Sequence, residues 1–90
     1  MSDHTLTVTV KITNRRGLDP KVASELAVIA TRFGCQEVSL FWNEQKIDVK
    51  SIVAMLSIEI HKGDKVRLLA SGENAQKTVD ALIEVLQGEA

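Results

Sequence analysis

The sequence predicts an α+β fold of the open-faced β-sandwich type, a four-stranded antiparallel sheet with three helices on one face. The first observation is the order of hydrophobic patterns along the 90 residues, which reads βαββαβα. The second is that the helical segments are apolar on one side and the strands alternate. Such strands are typical of an antiparallel sheet with one covered and one solvated face.

Four segments have the pattern of strands. Residues 6–12 alternate strictly between aliphatic side chains and Thr or Lys. A second strand is predicted at 37–42, and the turn 43–45 leads it into a short third strand at 46–49, so that the pair forms a hairpin. The fourth strand covers 65–70, where three small or aliphatic side chains point one way, namely Val66, Leu68 and Ala70.

Three segments are predicted as helices. The first covers residues 20–33 and has one apolar face, formed by Val22, Leu26, Ile29, Ala30 and Phe33. The apolar segment 51–56 fits helix or strand by periodicity, and the capping residue Ser51 with good helix formers favours a short helix. The last helix covers 74–87, with Asn74 as its cap and a stripe formed by Ala75, Val79, Leu82, Ile83 and Leu86.

Size and composition describe one domain, residues 1–90, with a loose polar start at 1–4. A net charge of −1 and three aromatic residues disfavour binding to nucleic acid. The lone Cys35 cannot form an internal disulfide, which favours a reducing compartment. The sequence shows neither a signal peptide nor an apolar run approaching the ~20 residues of a membrane span. We therefore expect a cytoplasmic protein without membrane insertion.

One stretch, residues 14–22, combines a turn, a helix start and a cluster of charge. Gly17 permits the turn, Asp19 can accept from the free N–H groups of the helix, and Pro20 suits the first helical position. Helix N-termini attract anions. The stretch is therefore predicted to be a phosphate-handling corner that already contains a carboxylate, surrounded by Arg15, Arg16 and Lys21.

Residues 14–23 resemble the active-site segment of HPr, the small phosphocarrier of the bacterial phosphoenolpyruvate-dependent sugar phosphotransferase system. The family pattern reads Asn-x-x-Gly-Leu-His-Ala-Arg-Pro-Ala, and the matches here are Asn14, Gly17, Leu18 and Ala23. Residues 49–52 resemble the family's regulatory serine segment, and residues 62–63 and 70–75 match its Lys-Gly turn and Ala-Ser-Gly element. The resemblance covers essentially the whole chain and implies the same βαββαβα fold.

The chain departs from the family pattern at its centre. The resemblance places Asp19 at the position of the phosphorylated histidine, Pro20 at its neighbouring alanine, Lys21 at the supporting arginine and Val22 at the proline. A carboxylate is not a ring nitrogen, and lysine is a point charge where arginine offers a fork. Phosphohistidine carriage at this position is therefore excluded.

The two histidines, His4 and His61, are expected to be exposed loop residues rather than substitutes for the missing one.

Asp19 has one structural role and three possible functional roles. As an N-cap it would contribute ~1 kcal/mol to the helix. It could accept a phosphoryl group as an acyl phosphate, with cations neutralising the charge. The segment offers no second carboxylate for a magnesium site. It could instead mimic phosphohistidine weakly, or mark a domain that has lost phosphotransfer and binds partners.

The segment after the third strand carries two further expectations. Ser51 is expected to cap its helix, and the resemblance implies phosphorylation there by an HPr-type serine kinase. About half of the apolar side chains at Ile52, Val53 and Leu56 are expected in the core. The resemblance places the outward ones in a docking patch beside the corner, ringed by Arg16, Lys21 and Lys50.

The sequence thus predicts an HPr-like protein of the phosphotransferase system, acting in sugar transport or its regulation. We expect a monomeric binding module rather than an enzyme, without cofactor or metal, whose partners are phosphotransferase enzymes, a regulatory protein or a kinase. The alternative in mechanism is a carrier that uses an aspartyl phosphate at Asp19. The alternative from another class is a small-molecule-sensing βαββαβ regulatory domain.

Overall fold

A computed structural model describes residues 5–88, and the elements follow the predicted order. They are β1 (Thr5–Lys11), α1 (Pro20–Arg32), β2 (Cys35–Trp42), β3 (Gln45–Asp48), α2 (Ile52–Leu56), β4 (Lys65–Gly72) and α3 (Ala75–Gln87). The polar start predicted at residues 1–4, with His4, lies outside the described residues. Within residues 5–88, no helix is long and apolar enough to cross a membrane.

The four strands form one antiparallel sheet in the order β1-β4-β2-β3. One face is covered by the helices: α3 packs against β1 and β4, and α1 lies against α3 and α2. The buried side chains of the strands point to this side, for example Val10, Val66 and Leu68. The other face is open, as the alternating pattern predicted. The open-faced sandwich is therefore confirmed.

The helical stripes supply most of the core. The side chains predicted on the inner faces of α1 and α3 are buried, except Phe33 and Ile83, which are half-buried. Phe33 is the C-cap of α1, so it lies beyond the last full turn of the buried stripe. Met55, from the short α2, is fully buried beneath that helix. One continuous core thus joins all three helices to the sheet.

All four strands differ from the predicted ones by one or two residues at one or both ends. β2 begins at Cys35, and an irregularity between Cys35 and Glu37 interrupts its pairing with β4. Cys35 and Val38 are both buried although they are three residues apart, an odd spacing that an alternating strand does not allow. The alternating pattern therefore placed the start of this strand too late. The hairpin turn is shorter than predicted, because Asn43 and Glu44 adopt φ angles of 52° and 66° and close it in two residues.

Asn74 occupies the predicted cap position of α3 but does not cap that helix with its side chain. Its backbone is left-handed, with φ of 61°, and its Nδ2 donates instead to the carbonyl of Phe33 at 2.8 Å. The side chain therefore satisfies the C-terminal end of α1. The predicted capping contact is wrong because this tertiary acceptor takes the side chain.

A close backbone contact fixes the turn before α1. Gly17 has φ of +63°, and a Cβ built on it would lie 2.6 Å from the carbonyl oxygen of Ile60. The next amide, that of Leu18, donates to the same oxygen at 3.1 Å. The turn and the segment before β4 are thus in direct backbone contact, and only glycine fits between them.

Gly17→Ala should lower the free energy of unfolding by roughly 2–5 kcal/mol, because left-handed strain and a backbone clash add. Gly63→Ala is the matched control. Gly63 also has positive φ, +99°, but a Cβ there meets nothing within 4 Å. Gly63→Ala should lower the free energy of unfolding by about 1–2 kcal/mol, from backbone strain alone. Urea denaturation measures both, and equal losses would contradict the proposed role of the contact with Ile60.

Candidate functional site at the start of α1

The loop that leads into α1 is tied to the end of α3 by Asn14. This side chain is buried, and its Nδ2 donates to the carbonyls of Val85 and Leu86 at 3.3 and 3.1 Å. Its Oδ1 accepts from the backbone amide of Arg16 at 2.8 Å, which shapes the turn. Asn14 thus satisfies carbonyls that a helix C-terminus leaves without partners, and it holds the loop in place.

Asp19 caps α1, as predicted. Its Oδ1 accepts from the amide of Val22 at 2.8 Å, and its Oδ2 accepts from Nη1 of Arg16 at 3.2 Å. The hydrogen bond from the Val22 amide is the main cause that lowers the pKa of Asp19 below 3.8. The side chain of Arg16 and the amide of Lys21 act in the same direction, against a partial desolvation. Asp19 is therefore a carboxylate at neutral pH.

The carboxylate takes the donors that a helix start would offer to an incoming anion. The amides of Val22 and Lys21 both stabilise its charge. The amide of Ala23 donates to the backbone carbonyl of Asp19 at 2.8 Å, as in regular helix. A phosphate arriving at this helix start would compete with Asp19 for the amide of Val22. The arrangement is that of an anion site already filled by its own side chain.

A shallow pocket beside the corner has balanced charge. It has a volume of about 210 Å³, and its walls include Arg16 and Lys21 but also Glu25 and Glu84. Because Arg16 already pairs with Asp19, the two glutamates leave little net positive charge for a dianion. Among residues 5–88, no group of three His, Cys, Asp or Glu side chains is placed to hold a metal ion.

The helix α2 presents apolar side chains to solvent. Its start is capped as predicted, with Oγ of Ser51 accepting from the amide of Ala54 at 3.1 Å. The expectation that about half of the flanking apolar residues lie in the core is wrong. A helix this short buries one side, and Met55 occupies that side. The other three large apolar side chains are exposed: Ile52 by 39%, Val53 by 80% and Leu56 by 42%.

The cations expected around this helix are placed differently from one another. Arg16 and Lys21 are both exposed at the start of α1. Lys50 instead donates from Nζ to the carbonyl of Cys35 at 2.9 Å, so it is tied to β2 and does not belong to the ring. The backbone of His61 lies against Gly17, a contact that the sequence pattern does not predict.

Two functional features of the corner were missed from the sequence. The anchoring role of Asn14 had a signal, since this residue is the first match in the family pattern, but its partners lie at the other end of the chain. The sequence contained no signal for Glu84, because an exposed glutamate on a helix is ordinary. Packing of α3 against α1 brings this residue to the pocket with Lys21.

Asp19→Ala should lower the free energy of unfolding at neutral pH by about 1 kcal/mol through loss of the cap, and Asp19→Asn by less, because it keeps an acceptor. The pKa of Asp19 is lowered in the folded state, so its charge stabilises the fold above pH 3.8 and less as pH falls through the folded pKa.

The difference in stability between the unmodified protein and Asp19→Asn should therefore shrink in acid. Urea denaturation across a pH series measures it. A difference that stays constant or grows below about pH 4 would contradict the assignment.

Comparison with known proteins identifies the family. The family model PTS-HPr, described as "PTS HPr component phosphorylation site", matches residues 6–88. Phosphocarrier protein HPr of Pseudomonas putida is 32% identical over 77 residues, which cover 86% of each chain. The HPr-like protein Crh of Bacillus subtilis is 30% identical over 80 residues, covering 89% of this chain and 93% of Crh.

The solved structures agree with this result. The crystal structure of HPr-C-His from Thermoanaerobacter tengcongensis superposes with a TM-score of 0.83 at 26% identity, covering 91% of each chain. The resemblance to HPr is thereby confirmed. The chain belongs to the HPr family of the phosphotransferase system.

Proposed function

We propose that this chain acts in the phosphotransferase system by binding partner proteins at the corner, and that it does not relay phosphoryl groups through phosphohistidine there. By its resemblance to the family pattern, Asp19 stands at the place of the phosphorylated histidine and Lys21 at that of the supporting arginine. The observation that carries the proposal is the occupancy of the helix start. The carboxylate of Asp19 accepts from the amide of Val22 and from Arg16.

This occupancy also argues against transfer of a phosphoryl group to the carboxylate of Asp19. A carboxylate with a lowered pKa, and with both oxygens accepting hydrogen bonds, is a weak nucleophile. An arriving phosphoryl group needs cations to offset its charge. Here Arg16 is paired, and Glu25 and Glu84 share the pocket with Lys21. The fixed single charge still gives the corner a weak likeness to a phosphorylated carrier.

The docking surface we propose consists of Arg16, Lys21, Ile52, Val53 and Leu56. Its apolar part is exposed in a fold that otherwise buries its large aliphatic side chains well; the other exposed large hydrophobic among residues 5–88 is Val28. Lys21 lies on α1 and Arg16 in the loop before it, and α1 packs against α2. An apolar centre with charges at its rim suits a transient protein interface.

The partners that fit are phosphotransferase enzymes, a regulatory protein or a kinase, with the chain working as a cytoplasmic monomer in sugar transport or its regulation. The small-molecule-sensing alternative finds no support now that the chain is placed in the HPr family.

A second part of the proposal concerns Ser51. Crh, to which the chain is similar, is named as HPr-like rather than as a phosphocarrier, and the resemblance implies regulation through this serine. Ser51 is half-buried and starts α2. A phosphate at a helix N-terminus gains from the free amides there, and it would add about two negative charges beside Ile52 and Val53.

Val53→Glu should weaken binding of the first enzyme of the phosphotransferase system about tenfold, because it places a charge in the apolar centre. Val53 is 80% exposed, so the fold should keep its stability. Thr7→Glu, which adds the same charge to an exposed position on the open face of the sheet, is the control. Titration calorimetry measures both, and equal weakening by the two variants would argue against the docking surface.

Incubation with phosphoenolpyruvate and the first enzyme should leave the mass of this chain unchanged. The variant Asp19→His with Pro20→Ala and Lys21→Arg should gain one phosphate if the docking surface is intact. Intact-mass spectrometry reads both. A hydroxylamine-labile phosphate on the unmodified chain that is lost in Asp19→Asn would establish the aspartyl-phosphate alternative instead.

An HPr-type serine kinase with ATP should add one phosphate to the chain and none to Ser51→Ala. Ser57→Ala is the matched control, because Ser57 lies at the other end of the same helix and is exposed. Phosphopeptide mass spectrometry locates the site. Phosphate on Ser57, or none on either serine, would contradict this part of the proposal.

A further inference from the structure

The open face of the sheet carries a pair of like charges. Lys11 on β1 stands directly opposite Lys65 on β4, one step along from the buried pair Val10 and Val66, so both lysines lie on the solvated face. Like charges directly opposite each other destabilise a sheet. Neither lysine forms an ion pair within residues 5–88. Within the described residues, the fold therefore keeps a repulsive pair to which no carboxylate is bound.

A third cation adjoins this pair. Arg67 follows Lys65 by two residues on β4 and so shares its face. Its guanidinium lies over the ring of Phe41, 4.6 Å from the centroid, and no carboxylate is paired with it in the described part of the chain. Lys46, on the far side of Phe41, differs because its Nζ is 2.6 Å from Oε2 of Glu37. We call Lys11, Lys65 and Arg67 the basic patch.

The basic patch borders an open depression of about 540 Å³ that includes Phe41, Lys65 and Arg67 in its walls. An aromatic ring beside unpaired cations is a surface that can lose water on both its apolar and its charged parts when a partner arrives. The helices cover the opposite side of the sheet, so the patch is distinct from the docking surface at α1 and α2.

We propose that the basic patch is a second docking surface, which binds an extended acidic segment of a partner protein. Because the patch is positively charged, its partner should be negatively charged. The spacing of the cations along the strand indicates an extended segment. Lys65 and Arg67 stand two residues apart on one face of a strand, about 6.6 Å, and alternate carboxylates of an extended segment have the same spacing. Such a segment relieves the repulsion between Lys11 and Lys65.

Other anions fit the patch less well. β4 lies between β1 and β2, so its backbone amides are used in the sheet. The donors of the basic patch are therefore three exposed side chains, which do not form the preorganised cradle of a small phosphate site. Binding of nucleic acid needs a large cationic footprint, whereas the basic patch has three cations and the whole chain has a net charge of −1.

The test uses a fluorescein-labelled oligoglutamate peptide and fluorescence anisotropy at low salt. The unmodified chain should bind it, and Lys11→Gln with Lys65→Gln should weaken binding about three- to tenfold. The same double variant should also raise Tm by a few degrees, because the repulsion is gone. The control is Arg32→Gln with Lys77→Gln, which removes the same charge from exposed positions on α1 and α3.

Equal weakening by the control pair, no binding of oligoglutamate at low salt, or an unchanged Tm in the lysine double variant would each overturn the proposal. Binding of an oligothymidylate of equal charge with the same affinity would overturn it in favour of nucleic acid. Val53→Glu should leave oligoglutamate binding unchanged, so failure of this proposal and failure of the corner proposal are separate results.

Discussion

The hydrogen bond from the amide of Val22 to the carboxylate of Asp19 determines what the start of α1 can do. A helix start offers a small set of free amides and a favourable field for one anion. Here the chain's own carboxylate caps the helix, and in the function we propose it competes with phosphate for the same amide. The cap at Asp19 therefore bears on both the stability of α1 and the function proposed for the corner.

Two further contacts hold the corner in place. Asn14 joins the loop to the carbonyls at the end of α3, and Gly17 allows the loop to touch the backbone at Ile60. These contacts hold the start of α1 in a fixed position relative to α2, whose exposed side chains form the apolar part of the docking surface. Such anchoring suits the partner binding that we propose, since pre-organisation lowers the cost of binding.

Local patterns predicted the elements, the caps at Asp19 and Ser51, and the family, because each depends on residues close together in sequence. Tertiary contacts determined what was missed. The side chain of Asn74 donates to the carbonyl of Phe33, and Nζ of Lys50 donates to the carbonyl of Cys35. Helix packing places Glu84 in the same pocket as Lys21. The opposed lysines at 11 and 65 became visible with the strand register, which the sequence pattern does not determine.

The central claim is that Asp19 fills the anion site at the start of α1. Titration of isotope-labelled protein with inorganic phosphate, against chloride at matched ionic strength, tests it through the amide resonance of Val22. We expect no saturable shift in the unmodified chain and a saturable shift in Asp19→Ala, where the amide is released. An equal saturable shift in both proteins would show that Asp19 does not occupy the site.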